Sequence, residues 1–282
     1  MHASRVIEYV IIFTQGNKMK FFASRLMSAL LLIPGIFLTQ APAQAEDNIN
    51  AILPDHVVRV GAVNAPPWYQ KDLLTNQWTG LVPDVVQAIF KDTDIKIEYV
   101  DTQWGTAVAG LQSNRFDILG GFNNTPERAK AVDFTRPMGS HQMGVLTLEK
   151  DAKKYEAWAT INNPQTRLAA IDGSAAVTLL QPQLDKAQWI IVPDSDNMQL
   201  QMESGRADAI VTNDIQMSQY IQKRHQGTMI IPQPVKEQAT NMGLRKDRPQ
   251  LQAWLDGRLE QLDKDGTLKN IWHKYTHPAN HP

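Results

Sequence analysis

The sequence of 282 residues contains no cysteine, which excludes disulfide bonds, thiolate catalysis and zinc or iron–sulfur sites built on cysteine. It also lacks a strong net charge, because 28 Lys and Arg are balanced by 29 Asp and Glu. A nucleic-acid-binding surface needs a basic footprint, so we expect no nucleic-acid partner. What remains is an ordinary globular composition, with 43% hydrophobic and 20% charged residues, in a length that suits one large or two modest domains.

The sequence also lacks an apolar run long enough to cross a membrane, which takes about 20 residues. The run at residues 26–38 holds 13 residues with an internal Pro-Gly. It follows a short basic stretch that begins at Met19, and it precedes Ala43-Gln44-Ala45, the small-x-small pattern of a signal-peptidase site. We therefore predict a cleaved signal peptide at residues 19–45, an upstream extension before it, and a mature chain that begins at Glu46. Without a cysteine to carry a lipid anchor, the expected location is the periplasm.

Beyond this leader, short β-rich runs alternate with helical patterns, which is typical of α/β folds with parallel strands. The alternation starts afresh near Lys150 and so predicts two lobes. Strands are predicted at residues 56–63, 95–100, 117–119, 167–171, 188–192 and 208–211. A closing helix, with Trp254 as a core residue, is predicted by apolar residues at helical spacing: Leu251, Trp254, Leu255, Leu259 and Leu262.

Four sequence motifs follow one another along the mature chain. They are Arg59-Val60-Gly61 with Pro66-Pro67-Trp68 and Thr79-Gly80-Leu81-Val82-Pro83-Asp84, then Trp104 with Asp117-Ile118-Leu119-Gly120-Gly121 and Thr125-Pro126-Glu127-Arg128, then Gly205-Arg206-Ala207-Asp208-Ala209, and last Asp265-Gly266-Thr267-Leu268-Lys269-Asn270-Ile271-Trp272. In this order and spacing, across residues 57–275, the chain resembles the bacterial family 3 solute-binding proteins. These are periplasmic receptors that feed polar amino acids to ABC importers.

The resemblance implies an α/β type II periplasmic-binding-protein fold, with two α/β lobes joined by two crossover strands and a ligand cleft between them. It implies a first lobe of residues 46–147 plus 241–282 and a second lobe of residues 148–240, with crossovers near residues 144–148 and 240–244. It also implies a monomer that binds a small-molecule ligand, an amino acid or related carboxylate, and delivers it to an ABC permease in the inner membrane. No cofactor and no metal is implied.

Arg128 is the predicted partner of the ligand's carboxylate. It lies in the first turn of a helix that Thr125 can cap and Pro126 can start, and a guanidinium can bind a carboxylate through two parallel hydrogen bonds. On spacing alone, a solvated arginine paired with a surface acid would be favoured. Matching the family's motif instead places Arg128 at its carboxylate-binding arginine, and Gly121 and Asn123 at its loop contacts.

Three aromatic residues are predicted to wall the ligand. Trp104 falls where the resemblance places a ring under the ligand, and an indole offers a large rigid face to an aliphatic stem or a cation. Trp68 and Tyr69 follow the proline turn and are predicted to form the opposite wall. For each of these rings, the alternative is a place in the core.

In the second lobe, the match to the family departs at two positions. Ala175 stands where the family has a hydroxyl-bearing residue at a helix start, although backbone N–H groups there can still reach a carboxylate. Asn213 stands where an aspartate is expected to accept from the ligand's ammonium group, and Asp214 follows it. Either Asp214 takes that role, or the ligand is not an ordinary α-amino acid. Both alternatives stay open.

The sequence favours a binding protein over an enzyme, and we assign no catalytic residues. The alternative is a periplasmic cyclohexadienyl or arogenate-type dehydratase on the same fold, which needs a general acid or base in the cleft. The seven histidines show no metal-ligand spacing, and His141, near the first crossover, is interpreted as a surface or hinge residue. A third alternative, the sensing lobe of a signalling protein, needs a membrane span and an output domain, of which the sequence gives no sign.

Overall fold

The computed structural model describes residues 48–276. The predicted signal peptide at residues 19–45, the upstream extension and Glu46 lie outside the described residues. Strands alternate with helices along the described chain, which confirms the predicted α/β class. None of the described helices combines the length and the apolar character that a membrane crossing requires.

The described strands have at most 9 residues and the described helices at most 11, apart from the helix Pro249–Lys264, which has 16. The strands are β1 (Val57–Ala62), β2 (Gln70–Lys71), β3 (Trp78–Thr79), β4 (Lys96–Asp101), β5 (Ile118–Phe122), β6 (Asp133–Phe134), β7 (Gly139–Thr147), β8 (Arg167–Ile171), β9 (Gln188–Val192), β10 (Ala209–Asn213), β11 (Thr228–Ile230) and β12 (Glu237–Leu244). The helices are α1 (Ile49–Ile52), α2 (Leu81–Phe90), α3 (Ala107–Gln112), α4 (Pro126–Ala129), α5 (Trp158–Ile161), α6 (Ala175–Leu180), α7 (Ser195–Glu203), α8 (Asp214–Arg224), α9 (Pro249–Lys264) and α10 (Thr267–Thr276), with 3₁₀ turns at Trp104–Thr106 and Lys153–Tyr155.

The main sheet has the strand order β4-β1-β5-β12-β7-β10-β8-β9, with β6 beside β12 and β11 beside β7. In its first half (β1, β4, β5 and β6), β1 runs parallel to β4 and β5. In its second half (β8, β9, β10 and β11), β8 runs parallel to β9 and β10. The central strands β7 and β12 run antiparallel to their neighbours. Each half is therefore a small, largely parallel sheet completed by an antiparallel central strand.

The ladder between β7 and β12 joins the two halves. Residues 139–142 of β7 pair with residues 237–240 of β12. Beyond this joining ladder, β7 continues at residues 143–147 as a partner of β10, and β12 continues at residues 241–244 as a partner of β5. The chain therefore passes between the two halves of the sheet within this ladder, while the lobe boundaries stay a prediction.

The core of the first half lies between the sheet and helices α2 and α9. The apolar face of α2, including Val85 and Ile89, is fully buried in one cluster with Val60 of β1. Trp254 of α9 belongs to the same cluster, 5.2 Å from the ring centre of Phe90, which confirms its prediction as a core residue. Each buried aliphatic side chain of this kind contributes about 1.5–3 kcal/mol, so the strand ends that carry the site rest on a rigid base.

Candidate functional site

A cleft lies where the two halves of the sheet meet, with ≈ 490 Å³ of empty space including the part open to solvent. It collects side chains that are far apart in the sequence, from the loop before α2 to the start of α8. Seven of the nine predicted site residues line it: Trp68, Trp104, Gly121, Asn123, Arg128, Ala175 and Asn213. The other two, Tyr69 and Asp214, do not.

Arg128 reaches the cleft from the short helix α4. Thr125 caps α4, its Oγ1 accepting from the backbone N–H of Arg128 at 3.3 Å, and Pro126 is the first helical residue. The guanidinium donates from Nη1 to the carbonyl of Asn123 at 3.0 Å and from Nη2 to the carbonyl of Gly173 at 2.7 Å. Because Gly173 follows β8 in the second half, Arg128 connects the two halves across the cleft.

Arg128 is also a buried cation without an anionic partner. Only 6% of its surface is exposed, its guanidinium lies 3.9 Å from the ring centre of Phe122, and no ion pair within residues 48–276 includes it. Burial lowers the pKa of Arg128 to about 10, and the charge of Glu127 opposes this only in part. Two of its five N–H donors are used in the bonds to carbonyls, which leaves three. Such a group gains most from an anion, which would replace its lost hydration.

Trp68 and Trp104 flank Gly121 on the first half's side of the cleft. A side chain at Gly121 would place its Cβ 3.5 Å from Cε3 of Trp68 and 3.6 Å from Cη2 of Trp104. Trp104 stacks on Phe122 with 6.1 Å between ring centres, while Trp68 meets the ring of His141 edge-on at 5.5 Å. The neighbouring rings hold both indoles in place, and the glycine keeps the space between them open.

Tyr69 lies in the core of the first half and does not form the predicted wall. It is fully buried, and its hydroxyl accepts from the N–H of Gly120 at 3.0 Å and donates to the carbonyl of Gly120 at 3.1 Å. A buried phenol needs such partners, and the backbone of β5 supplies both. Of the two aromatic residues after the proline turn, only Trp68 therefore faces the cleft.

Asn213 ends β10 and caps α8. Its Oδ1 accepts from the N–H of Gln216 at 3.0 Å, and its Nδ2 donates to Oε1 of Gln216 at 2.9 Å. The same Oε1 accepts from the hydroxyl of Thr212 at 2.6 Å. Thr212 and Gln216 both line the cleft, although neither was predicted from the sequence as a site residue. The Asn-x-x-Gln spacing of a capped helix start is the sequence signal that could have identified Gln216.

Asp214 turns its carboxylate to the backbone instead of the cleft. Its Oδ1 accepts from the N–H of Ile215 at 2.9 Å, and desolvation raises the pKa of this half-buried carboxyl. As the first residue of α8, it complements the free N–H groups of the helix start. The structure therefore does not place Asp214 in the ammonium-binding role that the sequence left open to it.

Ala175 is the first residue of α6 and lines the cleft, and its contact with a ligand stays a prediction. The hydroxyl that Ala175 lacks is found one residue earlier. Oγ of Ser174 accepts from the N–H of Val177 at 3.4 Å as the helix cap, and Ser174 also lines the cleft. Its hydroxyl proton can still donate to a ligand.

His141 lies in the joining ladder, which agrees with the hinge alternative of its interpretation, but it is buried and faces the cleft and so is not a surface residue. It is 5% exposed, and its Nδ1 lies 3.0 Å from Oγ1 of Thr240. Burial lowers the pKa of His141 to about 4, so the ring is neutral at pH 7. Arg128 is thus the one formal charge among the residues of the described cleft lining.

We expect His141 to make the protein less stable in acid. Unfolded His141 has a pKa near 6.5, whereas the folded ring binds a proton only near pH 4. The contribution of the neutral ring to the free energy of unfolding is therefore fully present above pH 6.5 and is lost as the pH falls towards 4. The loss is about 2 kcal/mol between pH 7 and pH 5. Urea unfolding at these two pH values should show the loss, and His141→Asn, which keeps a hydrogen-bonding group near Thr240, should reduce it. An equal loss in both proteins would contradict the assignment.

Both halves of the sheet line the cleft, which is typical of sites that enclose a small molecule. The chain belongs to the family described as bacterial extracellular solute-binding proteins, family 3, which matches residues 58–278. This confirms the resemblance inferred from the four motifs.

Two relatives and one solved structure show similarity over most of their own lengths. A probable amino-acid ABC transporter-binding protein of Haemophilus influenzae is 25% identical over 201 residues, 68% of this chain and 74% of the relative. Cyclohexadienyl dehydratase of Pseudomonas aeruginosa is 21% identical over 249 residues, 86% of this chain and 93% of the relative. The crystal structure of AncCDT-1, an ancestral amino acid-binding protein and precursor of cyclohexadienyl dehydratase, is 28% identical with a TM-score of 0.73, covering 81% of this chain and 99% of that one. The fold is the predicted type II periplasmic-binding-protein fold.

Proposed function

We propose that this chain is the periplasmic substrate-binding component of an ABC importer. It encloses a small carboxylate-bearing solute, an amino acid or a close analogue, and releases it unaltered to a permease in the inner membrane. One observation carries the proposal: Arg128 is buried at the junction of both halves, holds three spare N–H donors and has no anionic partner among the described residues. A ligand carboxylate would supply that partner.

Closure of two lobes is the proposed means of capture. The lobes are residues 46–147 plus 241–282 and residues 148–240, and the joining ladder between β7 and β12 lies next to their boundary. The bond from Arg128 to the carbonyl of Gly173 forms only when the two sides meet. Ligand binding and lobe closure therefore depend on the same guanidinium, which would couple them.

The location and the partners follow from the leader and the relatives. A cleaved signal peptide at residues 19–45 would export the chain, and several relatives are named as ABC transporter-binding proteins. We propose a monomer, with the permease as its one macromolecular partner and no cofactor.

The second candidate function is a cyclohexadienyl or arogenate-type dehydratase, because one relative carries that name and another is its precursor. Eliminating water from such an acid calls for a proton donor near the leaving hydroxyl. No Asp or Glu occurs in the described cleft lining, and His141, with its pKa lowered to about 4, is unprotonated at pH 7. This composition favours binding over turnover.

A ligand screen distinguishes the two functions. The full chain would be expressed with its own leader, recovered from the host periplasm, freed of bound ligand by unfolding and refolded. Amino acids, 2-oxo acids, 2-hydroxy acids, prephenate and arogenate would then be tested by thermal shift. At a ligand concentration 100-fold above Kd, binding adds about 2.7 kcal/mol, a rise of several degrees. We expect such a rise with one class of carboxylate. We also expect that this carboxylate is recovered chemically unchanged after incubation with the protein. Consumption of prephenate or arogenate would establish the dehydratase instead.

A further inference from the structure

The cleft has an unbalanced charge. Its lining within residues 48–276 contains the Arg128 guanidinium, the neutral ring of His141 and no carboxylate. The lining therefore carries a formal charge of about +1 at pH 7. A ligand with one negative charge brings the enclosed site to neutrality. A zwitterionic amino acid brings no net charge and leaves the site at +1, in surroundings where charge is poorly solvated.

Several of the neutral acceptors in the cleft are already engaged, and the others, Oδ1 of Asn123 and Oγ1 of Thr212, carry no charge to pair with an ammonium group. Oδ1 of Asn213 accepts from the N–H of Gln216, and Oε1 of Gln216 accepts from both Thr212 and Asn213. The carbonyls of Asn123 and Gly173 accept from Arg128 itself. Each of these oxygens would have to take a further donor, and a bond from an ammonium to a neutral oxygen is weaker than one to a carboxylate.

Three carboxylates are sequence neighbours of lining residues, and none of them corrects this. Glu127 precedes Arg128, but it is exposed and does not line the cleft. Asp214 accepts from the N–H of Ile215 and lies outside the lining. Asp172 precedes Gly173 and lies near Gly105, but it is exposed and does not line the cleft either. The indole faces of Trp68 and Trp104 attract cations, but they flank the same space as the Arg128 guanidinium, which repels a second cation.

We propose that the ligand is a small carboxylate without an ammonium group, of the 2-oxo acid or 2-hydroxy acid class. The inference rests on the proposed function, since it assumes that the cleft binds a carboxylate at Arg128. A 2-hydroxyl or 2-oxo group would meet the amides of Asn213 and Gln216 and the hydroxyl of Ser174, neutral groups that suit a neutral polar substituent. An α-ammonium group at the same position would meet no charge of opposite sign.

Three ligands with one carbon skeleton test the proposal. Phenylalanine, phenyllactate and phenylpyruvate share a side chain and differ only at carbon 2, as do leucine and its hydroxy and oxo analogues. Calorimetric titration of the full, refolded chain should give at least 10-fold tighter binding of the hydroxy or oxo member in whichever series fits the cleft. Equal or tighter binding of the amino acid would overturn this inference and leave the proposed function intact. Failure of every carboxylate, tested up to millimolar concentration, would overturn both.

Two neighbouring substitutions give a matched pair of variants. Asn213→Asp adds a carboxylate inside the cleft and keeps the helix cap, because aspartate and asparagine cap equally well. It should shift the ratio of amino acid to oxo acid affinity by at least 10-fold towards the amino acid. Asp214→Asn removes a carboxylate from the adjacent residue outside the cleft, so it should leave the ratio unchanged. An Asn213→Asp variant that folds, binds and keeps the original ratio would refute the inference, as would a shift caused by Asp214→Asn alone.

Discussion

Replacing Arg128 with methionine should weaken the binding of a carboxylate ligand by about 100-fold or more, which is about 3 kcal/mol. The guanidinium is buried in the cleft and has no other anionic partner among the described residues, so its removal leaves the bound carboxylate desolvated and unpaired. Methionine keeps an unbranched apolar stem next to Phe122 and adds no charged group. Calorimetric titration of the wild type and the variant with the same ligand measures the loss.

The same substitution should not lower the stability of the unliganded protein. Burial lowers the pKa of Arg128 well below its ordinary value, to about 10, so its charged form destabilises the folded state by about 3 kcal/mol at neutral pH. Methionine removes that cost, although it also gives up the bonds to the carbonyls of Asn123 and Gly173. We expect an unfolding midpoint that is unchanged or higher. Weaker binding together with undiminished stability would assign Arg128 to the ligand and not to the fold.

Arg128→Lys is the control for this substitution, because it keeps the charge and loses the planar fork that binds both oxygens of a carboxylate. The affinity of Arg128→Lys for the ligand should lie between those of the wild type and Arg128→Met, about 10-fold below the wild type. If Arg128→Met titrates like the wild type, the cleft is not the carboxylate site.

The sequence was most informative where a strand ends and a helix begins. Thr125 and Pro126 predict the cap and the first residue of α4. They therefore place Arg128 in the first turn of this helix from the local sequence alone. The glycine at 121 and the indole at 104 belong to the same kind of junction. Local backbone requirements located the helix start, whereas the role of Arg128 at the ligand and the places of Gly121 and Trp104 in the site were predicted from the family resemblance.

The sequence was least informative where one residue of a neighbouring pair had to be chosen. The strand predicted at residues 208–211 runs on to Asn213, because Thr212 and Asn213 pair with Gly144 and Met143 of β7. Polar residues give no apolar alternation, so the end of the strand could not be located. That end decides which side chain faces the cleft, and it selects Asn213 over Asp214. Trp68 and Tyr69 form a similar pair. The backbone of β5, which is distant in sequence, binds the hydroxyl of Tyr69 and so leaves Trp68 as the ring that faces the cleft.

The setting of His141 could not be predicted for a different reason. Its partner Thr240 is 99 residues away along the chain and becomes its neighbour only through the joining ladder. No local pattern encodes that pairing. Its neutral ring, and hence the charge of the whole cleft, could therefore be established only from the fold.

The contact between Gly173 and Gly105 gives a test of closure that does not involve ligand chemistry. Gly173 has a φ of +64°, and a Cβ there would lie 2.3 Å from Cα and 2.4 Å from N of Gly105, which belongs to the first half. Gly173→Ala should therefore prevent full closure and weaken ligand binding by at least 10-fold, since the buried site could no longer form. Opening the cleft relieves the clash, so the clash should not lower the stability of the unliganded protein.

Gly205 provides the matched control. It has a similar φ of +71° in the second half, but no heavy atom lies within 4 Å of the position of its missing Cβ. Both alanine variants should lose about 1 kcal/mol of stability from the left-handed backbone, and only Gly173→Ala should lose affinity. Small-angle X-ray scattering with saturating ligand should show Gly205→Ala as compact as the wild type and Gly173→Ala more extended. Equal affinities in the two variants would mean that the halves do not meet at Gly105 when ligand binds, and capture by closure would then be wrong.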